Sequence, residues 1–117
     1  MIQGFWHVSW TVSNLDASVK WYTEVLGLEF VRAQVQHNEY TAKLVGFPDA
    51  NIRVAQLAVP GQTIPRSRHH VELVEYVYPR GEDIPLDTNN TGVGHWAFMV
   101  DDIHAEFERL KALGVRR

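Results

Sequence analysis

Along the chain the apolar residues switch between a spacing of two and a spacing near three and a half, and the switches mark the elements. Over residues 6–12, Trp6, Val8, Trp10 and Val12 alternate with His7, Ser9 and Thr11, as in a strand with one apolar and one polar face. Ser13, Asn14 and Asp16 then offer helix N-caps, and over 17–26 Val19, Tyr22 and Leu26 recur at helical spacing until Gly27 stops the run. Segments 28–36, 41–45, 52–59 and 70–78 are rich in Val, Tyr and Leu and read as further strands. Phe47-Pro48-Asp49, Pro60-Gly61 and Pro79-Arg80-Gly81 punctuate them. A polar stretch over 80–91 leads to a second alternating segment, 94–100, and to a helical pattern over 105–113 that ends at Gly114.

The late elements repeat the early ones. HVSWTVSNLDASVKWYTEVLGL and HWAFMVDDIHAEFERLKALGV follow one plan of strand, short polar cap, helix, then Leu-Gly and an aliphatic residue. His95 falls 88 positions after His7 and Gly114 falls 87 after Gly27, so the second copy is one helical residue shorter. Residues 1–80 read as a first module, 81–93 as a connector and 94–117 as the start of a second. With only a strand and a helix of that second copy present, the sequence reads as a fragment or as a chain whose partner supplies the rest.

Composition narrows the function classes. A chain of 117 residues suits one domain with a modest core, and 45% hydrophobic with 21% charged residues is the mixture of a folded globule. The net charge of -3, with no run of Lys or Arg longer than two, lacks the basic stripe that a phosphate backbone requires, so nucleic acid is not an expected partner. The absence of cysteine removes disulfides, thiolate ligands and cysteine nucleophiles, and leaves His, Asp and Glu as candidate metal donors. The N-terminus has neither the basic start nor the apolar run of a signal peptide. No segment approaches the roughly 20 apolar residues of a membrane span, so the expectation is a cytoplasmic protein without a membrane partner. Asn89, Asn90 and Thr91 form an N-x-T triplet that reads as a chance occurrence.

Candidate chemistry follows from strand parity. His7 shares a face with Ser9 and Thr11, away from the Trp and Val residues that pack on the helix, so that face is free to line a cavity. In the second copy His95, Ala97 and Met99 oppose Trp96, Phe98 and Val100, which puts His95 in the equivalent position. Along 70–76 the parity groups His70, Glu72, Val74 and Tyr76, with Val71, Leu73 and Glu75 on the reverse face. An ionised carboxylate within an apolar strand needs a partner to offset its desolvation, and a metal ion is an effective one. His7, Glu72 and His95 thus make a coherent ligand set, with Ser9, Thr11, His70 and Tyr76 as candidate pocket lining.

The plainer readings carry weight too. A lone strand histidine is more often a hydrogen-bonded structural residue than a ligand, and only the repeat-equivalent placement of His7 and His95 beside Glu72 changes that. His69, of opposite parity to His70, reads as structural, and Glu75 as a solvated or salt-bridged acid at a strand edge. His37 and His104 read as loop and helix-start residues. Arg53, Arg66 and Arg68 are cations without a pattern.

HVSWTVSNLDASVKWYTEVLGLEF, HVELVEY and GVGHWAFMVDDIHAEFERLKALGV resemble segments of the vicinal oxygen chelate superfamily, which includes glyoxalase and methylmalonyl-CoA epimerase, and the match spans most of the chain. The resemblance implies an α+β fold of paired βαβββ modules forming a cupped mixed sheet, the second module incomplete here. It also implies a divalent ion (Zn, Ni, Co, Mn or Fe) held by His7, Glu72 and His95. A further Glu ligand, which also serves as base in glyoxalases, would lie past Arg117, leaving Glu72 as the catalytic carboxylate of this chain. The implied activity is a lyase or isomerase of glyoxalase or epimerase type, acting on a small molecule through a metal-stabilised enolate. An incomplete second module would leave unpaired edges, so a homodimer is expected. Two alternatives stay open: an extradiol dioxygenase, in which the position matching Glu72 is not a ligand, and a metal-free antibiotic-binding protein with an aromatic-lined cleft.

Overall fold

The computed structural model describes residues 1–62 and 67–116, in two compact units, Met1–Gly81 and Glu82–Arg117. The first unit carries β1 (Val8–Thr11), α1 (Leu15–Glu24), β2 (Glu29–Gln36), α2 (Glu39–Val45), β3 (Asn51–Ala58) and β4 (Val71–Tyr78). The second carries α3 (Ile103–Ala112). Among the described residues no helix is long and apolar enough to cross a membrane.

Capping chemistry sets the helix starts. Of the N-cap candidates, Asn14 is the one that closes α1: its Oδ1 accepts the Ala17 N–H at 3.0 Å. Segment 41–45, expected as a strand, is instead the last five of the seven residues of α2. Asn38 accepts the Thr41 N–H at 2.8 Å, Lys43 pairs with Glu39 one turn earlier at 3.3 Å, and Gly46 ends the helix in the left-handed region at φ 81°. An apolar run that short carries no period able to separate helix from strand, and the caps on either side decide it. The βαβββ plan therefore holds with a short helix inserted between its second and third strands.

The sheet order is β1-β4-β3-β2, with β1 parallel to β4 and the other neighbours antiparallel. Register opposes Ser9 to Glu72 and Thr11 to Val74 on one side of β4, and Gln56 to Glu72, Val54 to Val74 and Ile52 to Tyr76 on the other. Residues opposite one another across a ladder share a face. One face accordingly carries Ser9, Thr11, Glu72, Val74 and Tyr76, and the reverse face carries Trp10, Val71, Leu73 and Glu75, as strand parity anticipates. Helix α1 packs on β2, β3 and β4, where Leu15, Leu57 and Leu73 are fully buried. On the helix-free face, Ile52, Val54 and Val74 form a smaller cluster with Tyr76 packed against it.

In the second unit the repeat survives in its helix. Asp102 accepts the N–H groups of His104 and Ala105, each at 3.0 Å, as Asn14 does for α1, and Gly114 at φ 79° follows α3 as Gly27 at φ 76° follows α1. Segment 94–100, expected as a strand, pairs with no other strand among the described residues. Alternation of side chains supplies two faces, but a strand exists only when a neighbouring backbone accepts its hydrogen bonds.

Candidate metal centre

Parallel pairing of β1 with β4 brings the residue just before β1 alongside the start of β4: Val8 N–H donates to the His70 carbonyl at 3.0 Å. His7 then lies between two partners. Its Nε2 faces Glu72 Oε1 at 3.7 Å, and its Nδ1 is 3.0 Å from His69 Nε2. The two imidazole rings are 5.0 Å apart and tilted by 37°. Ser67 Oγ bonds the other nitrogen of His69, Nδ1, and accepts the His69 backbone N–H at 3.2 Å. Trp6 meets the His69 ring edge-on at 6.4 Å.

His7, His69 and Glu72 each offer a donor atom, all within 4.8 Å of one another. An ion bound to nitrogen and oxygen at about 2.0–2.2 Å would hold neighbouring donors roughly 3 Å apart, and His7 Nε2 and Glu72 Oε1 are 3.7 Å apart. Two imidazoles and a carboxylate are a donor set that suits a borderline divalent ion, so the residues fit such a group. The His7 and Glu72 side chains keep 27% and 18% of their surface, enough for a ligand to reach them, whereas His69 is only 4% exposed. Burial holds the His69 imidazole below its ordinary pKa, and the neighbouring His7 acts in the same direction, opposed by the Glu72 carboxylate. That direction favours the neutral form of the His69 ring, the form that can accept a hydrogen bond or a metal.

Parity placed His70 with Glu72 and set His69 aside as structural. The structure brings His69, and not His70, against His7. Ladder pairing of β4 begins at Val71, so alternation does not extend back to the two histidines. His70 instead ties the β3–β4 corner: its N–H donates to the Leu57 carbonyl at 2.9 Å, and its Nδ1 accepts the Val59 N–H at 3.3 Å. A Ser two residues before His69 was the one local sign of a side-chain partner for that ring.

Ser9 and Thr11 stand exposed on the face of Glu72, and Tyr76 lies further along that face with Phe47 edge-on at 6.2 Å. His95 belongs to the second unit and is exposed. Glu75, expected as a solvated or salt-bridged acid at a strand edge, is buried on the helix face. Its Oε1 accepts the Leu15 N–H at 2.9 Å and its Oε2 lies 3.6 Å from Arg53 Nη1. A salt bridge was among the expectations, but the partner Arg53 and the burial of Glu75 under the start of α1 depend on where distant segments pack. Arg53 also clamps Asp16 at 2.8 Å, and that hydrogen bond holds the Asp16 carboxyl below the usual carboxylate range. Arg53 thus has a structural role, Arg68 is exposed, and Arg66 lies outside the described residues.

A mixed sheet backed by a helix on one face, with imidazoles and a carboxylate gathered at the edge of the other, defines an α+β module with a candidate metal centre. The chain belongs to the Glyoxalase/Bleomycin resistance protein/Dioxygenase superfamily, whose sequence profile matches residues 4–116. A probable lactoylglutathione lyase of Vibrio parahaemolyticus is 34% identical over 109 residues, covering 92% of this chain and 64% of that protein. A 2-epi-5-epi-valiolone epimerase of an Actinomyces species is 35% identical over 115 residues, covering 94% of this chain and 59% of that protein. The chain thus spans less than two thirds of the length of these relatives. Among solved structures, a glyoxalase family protein from Bacillus cereus superposes with a TM-score of 0.74 at 20% identity, over 97% of this chain and 74% of that one. The fosfomycin resistance protein FosX from Listeria monocytogenes, complexed with Mn(II) and sulfate, superposes with a TM-score of 0.56 at 18% identity, over 99% of this chain and 75% of that one. At these identities the structural likeness establishes the fold.

Proposed function

We propose that this chain contributes the metal-binding module of a divalent-metal-dependent lyase or isomerase that acts on a small molecule next to a carbonyl group. The observation that carries the reading is the facing pair of His7 Nε2 and Glu72 Oε1 at 3.7 Å, partly open on the helix-free face of the sheet. His95 is included in the proposed ligand set on the sequence repeat alone. A divalent ion bound there supplies Lewis acidity, which lowers the cost of placing negative charge on a carbonyl oxygen.

The chain's own residues supply the remaining functions. Glu72 would offset part of the charge of a bound ion and is the carboxylate placed to hold a proton near it. Ser9 and Thr11 present hydroxyls on the same face, and Ile52, Val54, Val74 and Tyr76 give that face an apolar floor. The names of the relatives, a lyase and an epimerase, and the Mn(II) of the FosX structure support the same reading. Zn, Ni, Co, Mn and Fe all accept this donor set. Close pairing of Glu72 with His7 favours a ligand role for this acid, and so favours the lyase or isomerase over a ring-cleaving dioxygenase.

The test is elemental analysis of purified protein beside Glu72→Ala. Stoichiometric metal in the wild type, reduced at least roughly tenfold in affinity in the variant, is the expected result, given what losing a carboxylate ligand costs. A wild type that holds no metal even after reconstitution overturns the reading and leaves a small-molecule binding cleft.

A further inference from the structure

The candidate centre lines up four side chains, joined by two hydrogen bonds and, at the carboxylate end, one ion-pair contact. Ser67 Oγ meets His69 Nδ1, His69 Nε2 meets His7 Nδ1 at 3.0 Å, and His7 Nε2 faces Glu72 Oε1 at 3.7 Å. Each ring has a polar neighbour at both nitrogens, so in the neutral state a single proton per ring sets the direction of the whole line. Two arrangements are self-consistent. In the first the protons point toward the carboxylate: Ser67 donates to His69 Nδ1, His69 Nε2–H donates to His7 Nδ1, and His7 Nε2–H faces Glu72. In the second they point away: His7 Nδ1–H donates to His69 Nε2, His69 Nδ1–H donates to Ser67 Oγ, and His7 Nε2 turns a bare lone pair toward Glu72.

Both arrangements hold the same number of protons, so the exchange between them neither takes up nor releases any. Only the second can bind an ion through His7 Nε2. Ser67 serves either one, because its oxygen accepts the His69 backbone N–H at 3.2 Å and still has a second lone pair and its own O–H. His69 has little freedom to turn elsewhere: it is 4% exposed, and Trp6 stands edge-on against its ring.

We propose that His69, oriented by Ser67, is a positioning residue for His7, accepting the Nδ1–H of that ring and so holding it in the tautomer that presents Nε2 to an ion shared with Glu72. This rests on the metal reading above. It assigns His69 to the side of His7 that faces away from Glu72, and so to a role other than that of a third ligand. Partners on the free nitrogen of a ligating histidine typically change metal affinity by roughly ten- to a hundredfold.

The experiment uses the full chain labelled with 15N-histidine. Long-range 1H–15N spectra are recorded with and without Zn(II), and Zn(II) affinity is measured by chelator competition for wild type, His69→Gln, His69→Leu and Ser67→Ala. Expected on Zn(II) addition are a metal-bound shift at His7 Nε2 and protonated Nδ1 on both His7 and His69. His69→Leu should weaken binding roughly ten- to a hundredfold, while His69→Gln, whose side-chain carbonyl can accept the same N–H, keeps most of it. Ser67→Ala should weaken it less than His69→Leu. A metal-bound shift at His69 Nε2, or a His7 shift together with wild-type affinity in His69→Leu, overturns this proposal and leaves the metal reading standing. No shift at any histidine overturns both. Should His69→Leu fail to fold, the wild-type tautomers and the Gln variant still decide the matter.

Discussion

Glu72 and Glu75 lie three residues apart on β4, and their environments divide them into two kinds of acid. Glu72 sits on the helix-free face beside His7, part-exposed, with its charge available to a ligand. Glu75 lies under the first turn of α1, where it accepts the Leu15 N–H and faces Arg53. The positive end of the helix and the guanidinium together keep a buried carboxylate tolerable. Removing it leaves an orphaned N–H and an unbalanced cation, so Glu75→Ala should destabilise the fold by about 2 kcal/mol. Glu75→Gln, which keeps an acceptor for the N–H, should cost less. Urea unfolding checks the order, and both variants should bind metal as the wild type does. A Glu75 variant that folds normally but loses metal would mean that the two acids are not separate in function.

At the scale of elements, hydrogen-bond termini matter more than apolar content. Helix α2 has a single buried residue, Thr41, and is held by its ends: Asn38 at the start and Gly46 at the finish. Asn38→Ala should therefore cost about 1 kcal/mol, the usual worth of an N-cap. Gly46→Ala should cost about 1 kcal/mol as well, because the left-handed conformation at φ 81° crowds a Cβ against the backbone even where neighbouring atoms leave space. Urea midpoints should shift with unchanged slopes, and Zn(II) affinity should not move, since neither residue is part of the His7–Glu72 cluster. The same logic explains segment 94–100. Its alternation matches that of β1, yet β1 is a strand because β4 accepts its pairing.

For the molecule as a whole, the two units differ in how much they bury. The first has a core on both faces of its sheet, whereas no described residue from 82 onward is fully buried in the single chain. Phe98, Met99, Val100, Ile103 and Phe107 all stand exposed there. Apolar side chains grouped in this way are the usual mark of a surface meant to be covered, and a homodimer is the expected state. Sedimentation equilibrium should return twice the 13.4 kDa chain mass, and Phe98→Asp should shift the protein toward monomer. A wild type that stays monomeric at working concentrations would count against the dimer.

Residue order alone determined what depends on near neighbours: the two-faced pattern that places Glu72, Val74 and Tyr76 together, the short polar stretches that cap α1 and α3, and the glycines that end them. These follow from backbone sterics and hydrogen bonds that span a few residues. The site was half legible on the same terms, because His7 and Glu72 lie on or beside regular strands whose parity can be counted. His69 was not, since it precedes the first paired residue of β4 and meets His7 across 62 positions of sequence. The burial of Glu75, the helical state of 41–45 and the unpaired state of 94–100 were decided likewise by caps and partners that a periodic pattern does not contain. A side chain's face can be read from its neighbours along the chain; what it touches is fixed only when distant segments pack.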